Sequence, residues 1–401
     1  MRTAGPPVAG QHRSDAPSAG GGPGASVRRL LLSCGEASGD LYAGALTREL
    51  RSLAPGIEVA GLGGPRFAEA GGQLLADYRG LAVTGLTEAI AKVPESLRTI
   101  QRLTAAARER RPDALVVIDF PDFNFRLARR VRRLGIPVVY YISPQVWAWR
   151  RGRLKTLREI ADRILVIFPF EEAIYREAGL PVEFVGHPLV ELARASATRS
   201  EFASRHGLRA DAPIVAILPG SRANEVRRIL PTLLGAADLI AARVPAVQHV
   251  IARAGHLDDR LFEAATGGAA IVEGETDAVL AAADLALVAS GTATVQAALH
   301  DTPMVVVYRL SPVTYALGRR FVKLDTFAMV NLIAGERIVP ELIQDGLTPQ
   351  AVAAAAIEIL GDAGRAARMR AGLARVREKL GEPGASRRAA EAILQIAGAH
   401  A

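Results

Sequence analysis

The sequence predicts an α/β protein made of two doubly wound, Rossmann-like domains with a cleft between them. Three observations lead to this prediction. The chain has 401 residues, half of them hydrophobic, which is too long for one ordinary core and suits two. Short apolar runs alternate with helical patterns, which is typical of parallel βαβ units. A polar stretch at about 193–212 separates two such series.

The first series follows a Gly-, Pro-, Ala- and Ser-rich segment, residues 1–27. That segment lacks the apolar run of a signal peptide, and we interpret it as a disordered tail. A glycine-bearing turn follows the first apolar run, and a helix is expected from about Leu41. The strands predicted in this half lie at 28–33, 57–62, 114–118, 136–142, 163–168 and within 180–189.

The second series begins after the polar stretch, and from about residue 349 the chain becomes rich in Ala, Arg and Glu and helical. Its predicted strands lie at 213–218, 247–251, 270–272, 284–289 and 303–308. The predicted domains are residues 28–190 and 191–348, followed by C-terminal helices at 349–401. Whether those helices stay on the second domain or cross back to the first is left open.

The composition narrows the classes of partner. A net charge of +8 would suit nucleic acid or an anionic membrane. The arginines are dispersed, however, and no RNA-binding or helix-turn-helix pattern occurs, so we predict no nucleic-acid partner. The single cysteine, Cys34, excludes an intramolecular disulfide, and no Cys/His cluster has the spacing of a metal site. No run approaches 18 apolar residues, so no segment is predicted to span a membrane.

Two glycine-bearing turns in the second half have the chemistry of an anion site. In LPGSRANEV (218–226), Gly220 lets the backbone approach an anion, while Ser221 and Arg222 add donors beside the free N–H groups of a helix N-terminus. Either turn alone could be an ordinary helix cap, but two together favour a diphosphate. Neither matches a P-loop or a dinucleotide fingerprint. The second turn is SGTAT, formed by Ser290, Gly291, Thr292, Ala293 and Thr294.

Carboxylates follow the predicted strands of the first half. In IDFPDFN (118–124), Asp119 comes directly after an apolar strand and is the candidate general base. Asp122 is a second candidate, with the alternative that it caps the next helix. Ligands of such sheets bind beyond the carboxyl ends of the strands, so these groups are expected at the cleft.

The turn GEASGD (35–40) adds two more acids. Glu36 has no evident structural task, whereas Ser38 or Asp40 could cap the helix expected from Leu41. The glycines of this turn permit close approach of a ligand or of the other domain. His187, in GHP after a strand, is either a structural histidine or a contact to substrate or nucleotide.

Both tryptophans, Trp147 and Trp149, lie in YYISPQVWAWRRGR (140–153), just beyond a predicted strand. An indole at the cleft mouth offers a flat apolar face to a sugar ring or an acyl chain. The arginines that follow, Arg150, Arg151 and Arg153, could face a phosphate or anionic lipid head groups. The alternative is that one tryptophan packs against a neighbouring helix. The arginine-bearing segment 83–113 is either a membrane-surface element or an ordinary helix that covers the sheet.

Ten motifs occur in the order seen in the lipid-A-disaccharide synthase family, which the chain resembles from about residue 30 to residue 345. One such motif would be weak evidence, but ten in order are specific. They are GEASGD, GGPR (63–66), TGLTEAI (84–90), IDFPDFN, SPQVWAWR, PFE (169–171), VGHPL, LPGSR, SGTAT and MVNLIAGERIVPELIQ (329–344).

The resemblance implies an inverting glycosyltransferase of the two-domain GT-B type, which needs no metal or cofactor. The family moves 2,3-diacylglucosamine from UDP onto the 6-hydroxyl of 2,3-diacylglucosamine 1-phosphate (lipid X). The resemblance would place the protein in the cytoplasm, at the surface of the inner membrane. A homodimer is possible but is not specified by the resemblance. Asp119 would then be the base, the two turns of the second half would hold the diphosphate, and GEASGD would face the acceptor.

One position departs from the family pattern. Gln296 stands where the family usually has a glutamate, whose equivalent in GT-B enzymes accepts hydrogen bonds from the ribose. An amide keeps an acceptor oxygen but loses the charge, so weaker UDP binding is expected without loss of activity. The alternatives to this family are another UDP-sugar enzyme of the same fold, either a UDP-N-acetylglucosamine 2-epimerase or a MurG-like transferase.

Overall fold

The computed structural model describes residues 1, 28–81, 86–144, 152–265, 268–309 and 326–399, with the backbone alone for 86–91. It contains two parallel β-sheets flanked by helices, which confirms the predicted α/β class with two doubly wound halves.

The first sheet has seven strands in the order β3-β2-β1-β4-β5-β6-β7, and every pair of neighbours is parallel. Its strand order reverses between β1 and β4, which is the switch point where such sheets bind ligands. The strands are β1 Arg29–Cys34, β2 Glu58–Gly63, β3 Gln73–Asp77, β4 Ala114–Ile118, β5 Val138–Tyr141, β6 Arg163–Val166 and β7 Val182–Phe184.

The second sheet repeats this plan with six strands in the order β10-β9-β8-β11-β12-β13, again all parallel. Its switch point lies between β8 and β11. The strands are β8 Ile214–Leu218, β9 Gln248–Arg253, β10 Ala269–Glu273, β11 Leu285–Ala289, β12 Met304–Tyr308 and β13 Glu341–Ile343.

Fifteen α-helices are found in the described ranges. They are α1 Ala37–Leu53, α2 Pro65–Glu69, α3 Leu86–Arg110, α4 Pro121–Arg132, α5 Arg153–Ile160, α6 Pro169–Glu177, α7 Leu189–Leu192, α8 Arg199–Arg205, α9 Ala223–Arg243, α10 Thr276–Ala282, α11 Thr292–Leu299, α12 Met329–Ala334, α13 Pro349–Gly361, α14 Ala363–Lys379 and α15 Ala385–Ala399. Short 3₁₀ turns occur at Tyr78–Leu81, Asp259–Ala265 and Gln344–Gly346.

Two strands were missed by the sequence prediction, one helix starts earlier than predicted, and β5 and β6 are shorter than the predicted runs 136–142 and 163–168. β3 and β13 were not predicted, because each is a short edge strand whose side chains are only partly buried and therefore form no continuous apolar run. The first helix starts at Ala37 instead of Leu41. Glu36, in an extended conformation with φ −147°, is its N-cap residue, so Asp40 lies inside the helix.

The register of the central strands brings the predicted turns together. Cys34 at the end of β1 is paired with Ile118 at the end of β4, so the segments that begin at Gly35 and Asp119 emerge side by side. Leu218 of β8 is likewise paired with Val288 of β11. The two anion-type turns therefore also leave neighbouring strand ends.

The last helix answers the question left open by the sequence. α13 and α14 pack on the second sheet and its helices, whereas α15 crosses back and packs against α1 of the first half. Glu191 fixes this crossing, since its carboxylate accepts hydrogen bonds from the backbone N–H groups of Gly384 (2.6 Å) and Ser386 (3.1 Å). The backbone N–H of His187 also donates to the carbonyl oxygen of Leu380 at 2.8 Å.

Helix α3 falls in the arginine-bearing segment 83–113. Its Ile100, Leu103 and Ala107 are buried in the cluster that covers one face of the first sheet. That half of the helix therefore covers the sheet, which was one of the two interpretations of this segment. In the ranges that the structure describes, no helix is long and apolar enough to cross a membrane.

Candidate active site

A cavity of about 540 Å³ lies between the carboxyl ends of the two sheets. The first half supplies most of its wall, and the second half closes it from the opposite side. Of the predicted site residues, those that line it are Glu36, Ser38, Asp119, Asp122, His187, Arg222, Gly291 and Thr292. Arg153, one of the arginines predicted to face a phosphate, lines it as well. Tyr42, Ser143, Phe168 and Met329 also line it and were not predicted as site residues.

Asp119 lines the cavity and has a strained backbone conformation. Its φ is +44° and that of Phe120 is +49°, a region that residues other than glycine rarely adopt. The conformation is held by its neighbours, since the Asp119 carbonyl oxygen accepts hydrogen bonds from Asn124 Nδ2 (2.7 Å) and from the Tyr140 hydroxyl (2.9 Å). The strand end is thereby fixed with its carboxyl group at the cavity.

The environment of Asp119 makes its carboxyl group unusually basic. Burial, and next the negative charge of Glu36, raise its pKa from 3.8 to about 7. The Phe120 N–H and the positive charges of Arg222 and Arg153 lower the pKa but do not cancel these effects. A carboxylate with a pKa near neutrality can accept a proton from a hydroxyl group in the cavity.

Glu36 and Arg222 join the two halves across the cleft. Arg222 Nη2 lies 2.6 Å and 2.7 Å from the two carboxylate oxygens of Glu36. Both side chains are nearly half exposed, at 42% for Glu36 and 46% for Arg222. An ion pair that is this exposed contributes little to stability, so it can exchange for a ligand.

The turn that precedes α9 is already occupied by a carboxylate of the chain. Glu225 Oε2 accepts hydrogen bonds from the backbone N–H groups of Ser221 (3.2 Å) and Arg222 (3.3 Å), and Glu225 Oε1 from Arg222 Nη1. Gly220, with φ +118°, passes so close to Glu225 that a Cβ would lie 2.6 Å from Oε2. The sequence prediction of free N–H groups here was wrong, because Glu225 fills the helix N-terminus as an internal capping group.

The second turn, SGTAT, leads into α11, and only some of its residues face the cavity. Gly291 is the N-cap, and with Thr292 it faces the cavity. Ser290 donates from its hydroxyl to the Phe327 carbonyl oxygen (3.1 Å), and Thr294 is buried and donates to the Gly291 carbonyl oxygen (2.8 Å). Only the first residues of α11 are therefore placed to meet a ligand in this cavity.

Gln296 has an acidic neighbour in place of an acidic side chain of its own. Its Nε2 donates to Asp277 Oδ1 at 3.2 Å, and the same oxygen lies 2.9 Å from His300 Nε2. The contact with Asp277 fixes the orientation of the amide, so that Oε1 is left to accept other hydrogen bonds. A negative charge thus stays next to position 296.

Asp40 is not at the cavity. It is almost fully buried, and its two carboxylate oxygens accept hydrogen bonds from the N–H groups of Gly64 (2.7 Å), Arg66 (3.0 Å) and Phe67 (3.1 Å). These groups form the N-terminus of α2. Asp40 thus caps a helix, but a different one from the helix that the sequence suggested.

Asp122 is exposed at the rim of the cavity and forms an ion pair with Arg153. It is the second residue of α4, whose N-cap is Phe120, so the expectation that Asp122 caps this helix was wrong. Arg153 opens α5, and its guanidinium also lies over the ring of Phe125 at 5.4 Å. The arginines that follow the tryptophans were the signal in the sequence for this residue.

The remaining predicted residues divide into two groups. Trp147, Trp149 and Arg150 lie outside the described residues. Ala293, which follows Thr292 in α11, is half-buried. In the described ranges, no group of three or more His, Cys, Asp and Glu side chains is arranged so that it could hold a metal ion.

Comparison with known proteins identifies relatives over nearly the whole chain. The family model for lipid-A-disaccharide synthetase matches residues 30–397. The lipid-A-disaccharide synthase of Myxococcus xanthus is 44% identical over 372 residues, which cover 92% of this chain and 97% of that protein. The enzyme of the same name from Koribacter versatilis is 45% identical over 379 residues, covering 92% and 98%.

Solved structures of low sequence identity share the fold. The UDP-GlcNAc 2-epimerase of Neisseria meningitidis, bound to UDP-GlcNAc, aligns with a TM-score of 0.66 at 13% identity and covers 92% of this chain and all of that one. The calicheamicin glycosyltransferase CalG4 aligns with a TM-score of 0.59 at 18% identity, covering 93% and 99%. At such identities the likeness concerns the fold alone.

Proposed function

The chain belongs to the lipid-A-disaccharide synthase family, and from this premise we propose the substrates and the residues of its reaction. It is a glycosyltransferase of lipid A biosynthesis. The proposed reaction moves 2,3-diacylglucosamine from its UDP carrier to the 6-hydroxyl of 2,3-diacylglucosamine 1-phosphate. The products are the disaccharide 1-phosphate and UDP.

We assign the general base to Asp119. The acceptor oxygen attacks the anomeric carbon from the face opposite UDP, the bond from that carbon to the diphosphate breaks, and the hydroxyl proton passes to the Asp119 carboxylate. UDP leaves with the bonding electrons, so no covalent enzyme intermediate is needed. The observation that supports this assignment is a carboxyl group whose pKa is raised to about 7, in the wall of the interdomain cavity. Glu36 and Asp122 are the alternatives for this role.

The diphosphate is proposed to bind where Arg222 meets the N-termini of α9 and α11. Arg222, with Ser221 and Gly220, would contact one phosphate, and Gly291 and Thr292 would contact the other with backbone N–H groups. Ser290, Ala293 and Thr294 would shape that turn, and Gln296 would accept from the ribose. Glu225 and Glu36, which hold Arg222 in the unliganded cleft, would have to yield to the incoming phosphates.

The acceptor sugar is proposed to bind on the side of the first half. Ser38 and His187 line that wall of the cavity. Trp147, Trp149 and Arg150 are proposed to contact the sugar, the acyl chains or the 1-phosphate at the cavity mouth. Asp40 would support this wall indirectly, through its cap of α2.

Association with membranes and with a second copy of the chain belongs to the proposal as well. Both substrates carry acyl chains, so we propose that the protein works in the cytoplasm, peripherally bound to the inner membrane. The part of the region 83–113 that precedes Ile100 would provide the contact with lipid, since the part from Ile100 onward packs on the first sheet. A homodimer is an alternative to a monomer. The boundary between the two domains is proposed to lie between residues 190 and 191.

The proposal is tested with purified protein, UDP-2,3-diacylglucosamine and lipid X, by comparing the wild type with Asp119→Asn. We expect the wild type to release UDP and form the disaccharide 1-phosphate. The variant should form at least about a hundred-fold less product, the usual contribution of a general base, while still binding UDP. A fully active Asp119→Asn enzyme would transfer the role of base to Glu36 or Asp122.

The same assay separates the alternative enzymes of this fold. An epimerase converts its UDP-sugar without an acceptor, and a MurG-like transferase requires a different lipid-linked acceptor. Absence of disaccharide from a wild-type protein that binds UDP would reject the proposed acceptor and keep the fold.

A further inference from the structure

His187 forms part of the cavity wall, yet only 2% of the residue is exposed to solvent. It follows β7 and precedes α7, at the place where the chain passes from the first half to the second. Tyr42 and Phe168 enclose its ring, with centroids 6.2 Å and 5.3 Å away. The imidazole is therefore held rigidly, with one edge towards the cavity.

The hydrogen bonds of His187 determine which ring nitrogen carries the proton. Nδ1 lies 3.1 Å from the backbone nitrogen of Leu189. A backbone N–H can only donate, so Nδ1 is the acceptor and carries no proton. The neutral ring then bears its proton on Nε2, as a donor.

The ring remains neutral at ordinary pH. Burial lowers the pKa of His187 to about 3. Within the described part of the chain, Nε2 has no hydrogen-bond partner. Among the described residues, the cavity wall thus presents an uncharged N–H group without a protein acceptor, to which a ligand in the cavity can supply one.

The neighbours of His187 indicate the chemistry of that acceptor. Tyr42, Ile167 and Phe168 give this part of the wall an apolar character, whereas Arg222 is available to phosphate groups elsewhere in the cavity. An uncharged donor in an apolar wall suits an uncharged acceptor. The first carbonyl group of an acyl chain, with hydrocarbon beyond it, matches both features.

We propose that the Nε2–H group of His187 donates a hydrogen bond to an acyl carbonyl oxygen of one of the two acylated sugars and so positions that sugar in the cavity. This inference rests on the proposed function, since it presumes acylated substrates. It assigns His187 a role in recognising the acyl group. The contacts of the nucleotide and of the 1-phosphate belong to other residues.

Two substitutions separate this role from a structural one. Asn at position 187 can place its carbonyl oxygen where Nδ1 accepts from Leu189, but its side chain is too short to donate from the Nε2 position. Gln can place an N–H group at the Nε2 position but loses the acceptor for Leu189. Steady-state kinetics on both acylated substrates, UDP affinity and thermal melting are measured for His187→Asn, His187→Gln and the wild type, with His206→Asn as a control away from the cavity.

For His187→Asn we expect a melting temperature close to that of the wild type and a KM about ten-fold higher for one acylated substrate, with UDP affinity unchanged. The substrate whose KM rises is the one whose carbonyl is bound. His187→Gln should melt at a lower temperature and yet have a KM closer to that of the wild type. His206→Asn should retain the wild-type KM values.

The opposite ranking, with His187→Gln the poorer enzyme, would show that the bond to Leu189 is what matters and would overturn the proposal. An unchanged KM for both substrates in folded His187→Asn, or a loss of UDP affinity instead, would overturn it too. The His187→Asn result decides alone if the glutamine variant does not fold. Failure of the proposed function would appear separately, as absence of disaccharide with the wild type.

Discussion

At the scale of single residues, the sequence located Asp119 but not the state of its carboxyl group. A polar residue directly after the apolar run 114–118 had to fall at the carboxyl end of a strand, and it does. The raised pKa depends on burial and on Glu36, which is 83 positions away in the chain and adjacent only through the pairing of β1 with β4. The need for glycine at position 35 also depends on a residue that is distant in the chain, because a Cβ there would lie 2.1 Å from the ring of Phe120.

The pKa of Asp119 predicts opposite trends of activity and stability with pH. A base must be ionised, so kcat/KM of the wild type should rise with pH and level off above about pH 7. The folded state binds this proton more tightly than the unfolded chain, in which the pKa is near 3.8. Its contribution to stability is therefore fully present below about pH 4 and is lost as the pH rises through 7.

Asp119→Asn removes the ionisation and tests both trends. At pH 8 the variant should be inactive but more stable than the wild type by about 1 to 3 kcal/mol, less than the full linkage value because Asp119 is partly exposed. At pH 4 the two proteins should unfold at similar denaturant concentrations. Urea unfolding at both pH values measures this difference. Equal stability at pH 8 would mean that the carboxyl group is solvated and its pKa ordinary.

At the scale of helices and strands, the accuracy of the sequence prediction followed burial. Fully buried central strands such as β4 and β8 form continuous apolar runs and were predicted to within a residue at either end. β3 and β13 have mixed side chains because they lie at sheet edges, and their pattern does not differ from that of a loop. The cap of α2 could not be predicted from the sequence either, because Asp40 lies 24 residues before Gly64, whose N–H group it binds at the start of that helix.

The cap of α2 provides a prediction about an element that supports the site without contacting substrate. Asp40→Ala would leave the N–H groups of Gly64, Arg66 and Phe67 without their acceptor in a buried position. We expect the free energy of unfolding to fall by about 3 kcal/mol. At a temperature where the variant is folded, kcat should stay within about a factor of three of the wild type, since Asp40 takes no part in the chemistry.

Thermal and urea unfolding measure the first effect, and the transferase assay measures the second. Asp211→Ala, at an exposed position with the same side chain removed, serves as the control and should change neither. A stable Asp40→Ala protein with a large loss of kcat would contradict this and would give Asp40 a role in the reaction.

At the scale of the whole molecule, the two halves are connected by the chain itself and by the Glu36–Arg222 ion pair across the cleft. The covalent crossing at 187–192 and the return crossing before α15 lie on one side of the cleft, where Glu191 holds Gly384 and Ser386. The presence of two parallel sheets could be predicted from the two series of apolar runs, whereas the boundary between 190 and 191, drawn beside the polar stretch at 193–212, stays a prediction. The return of α15 to the first half could not be predicted, since an Ala-rich amphipathic helix suits either half equally well.

Across the cleft, Arg222 is held by two carboxylates, Glu36 from the first half and Glu225 from its own helix. In the proposed complex, a diphosphate would bring at least two negative charges to the same guanidinium and to the same N–H groups of the turn. We therefore expect Glu36, which joins the two halves through Arg222, to compete with this ligand for the guanidinium. Because the pair is exposed, its removal changes the energy of the empty state by only about 0.2 to 1 kcal/mol.

Glu36→Gln removes the competing charge and should tighten UDP binding by roughly two- to five-fold, since the empty enzyme no longer has to break the ion pair. The loss of the same charge also lowers the pKa of Asp119, so the rise of kcat/KM should begin at a lower pH than in the wild type. Calorimetric titration with UDP and a pH–rate profile measure the two effects in one variant. Glu58→Gln, which breaks an exposed pair with Arg29 far from the cleft, is the matched control and should alter neither. Weaker UDP binding by Glu36→Gln would contradict competition between Glu36 and the diphosphate. It would mean that the Glu36–Arg222 ion pair helps to hold the nucleotide between the two halves.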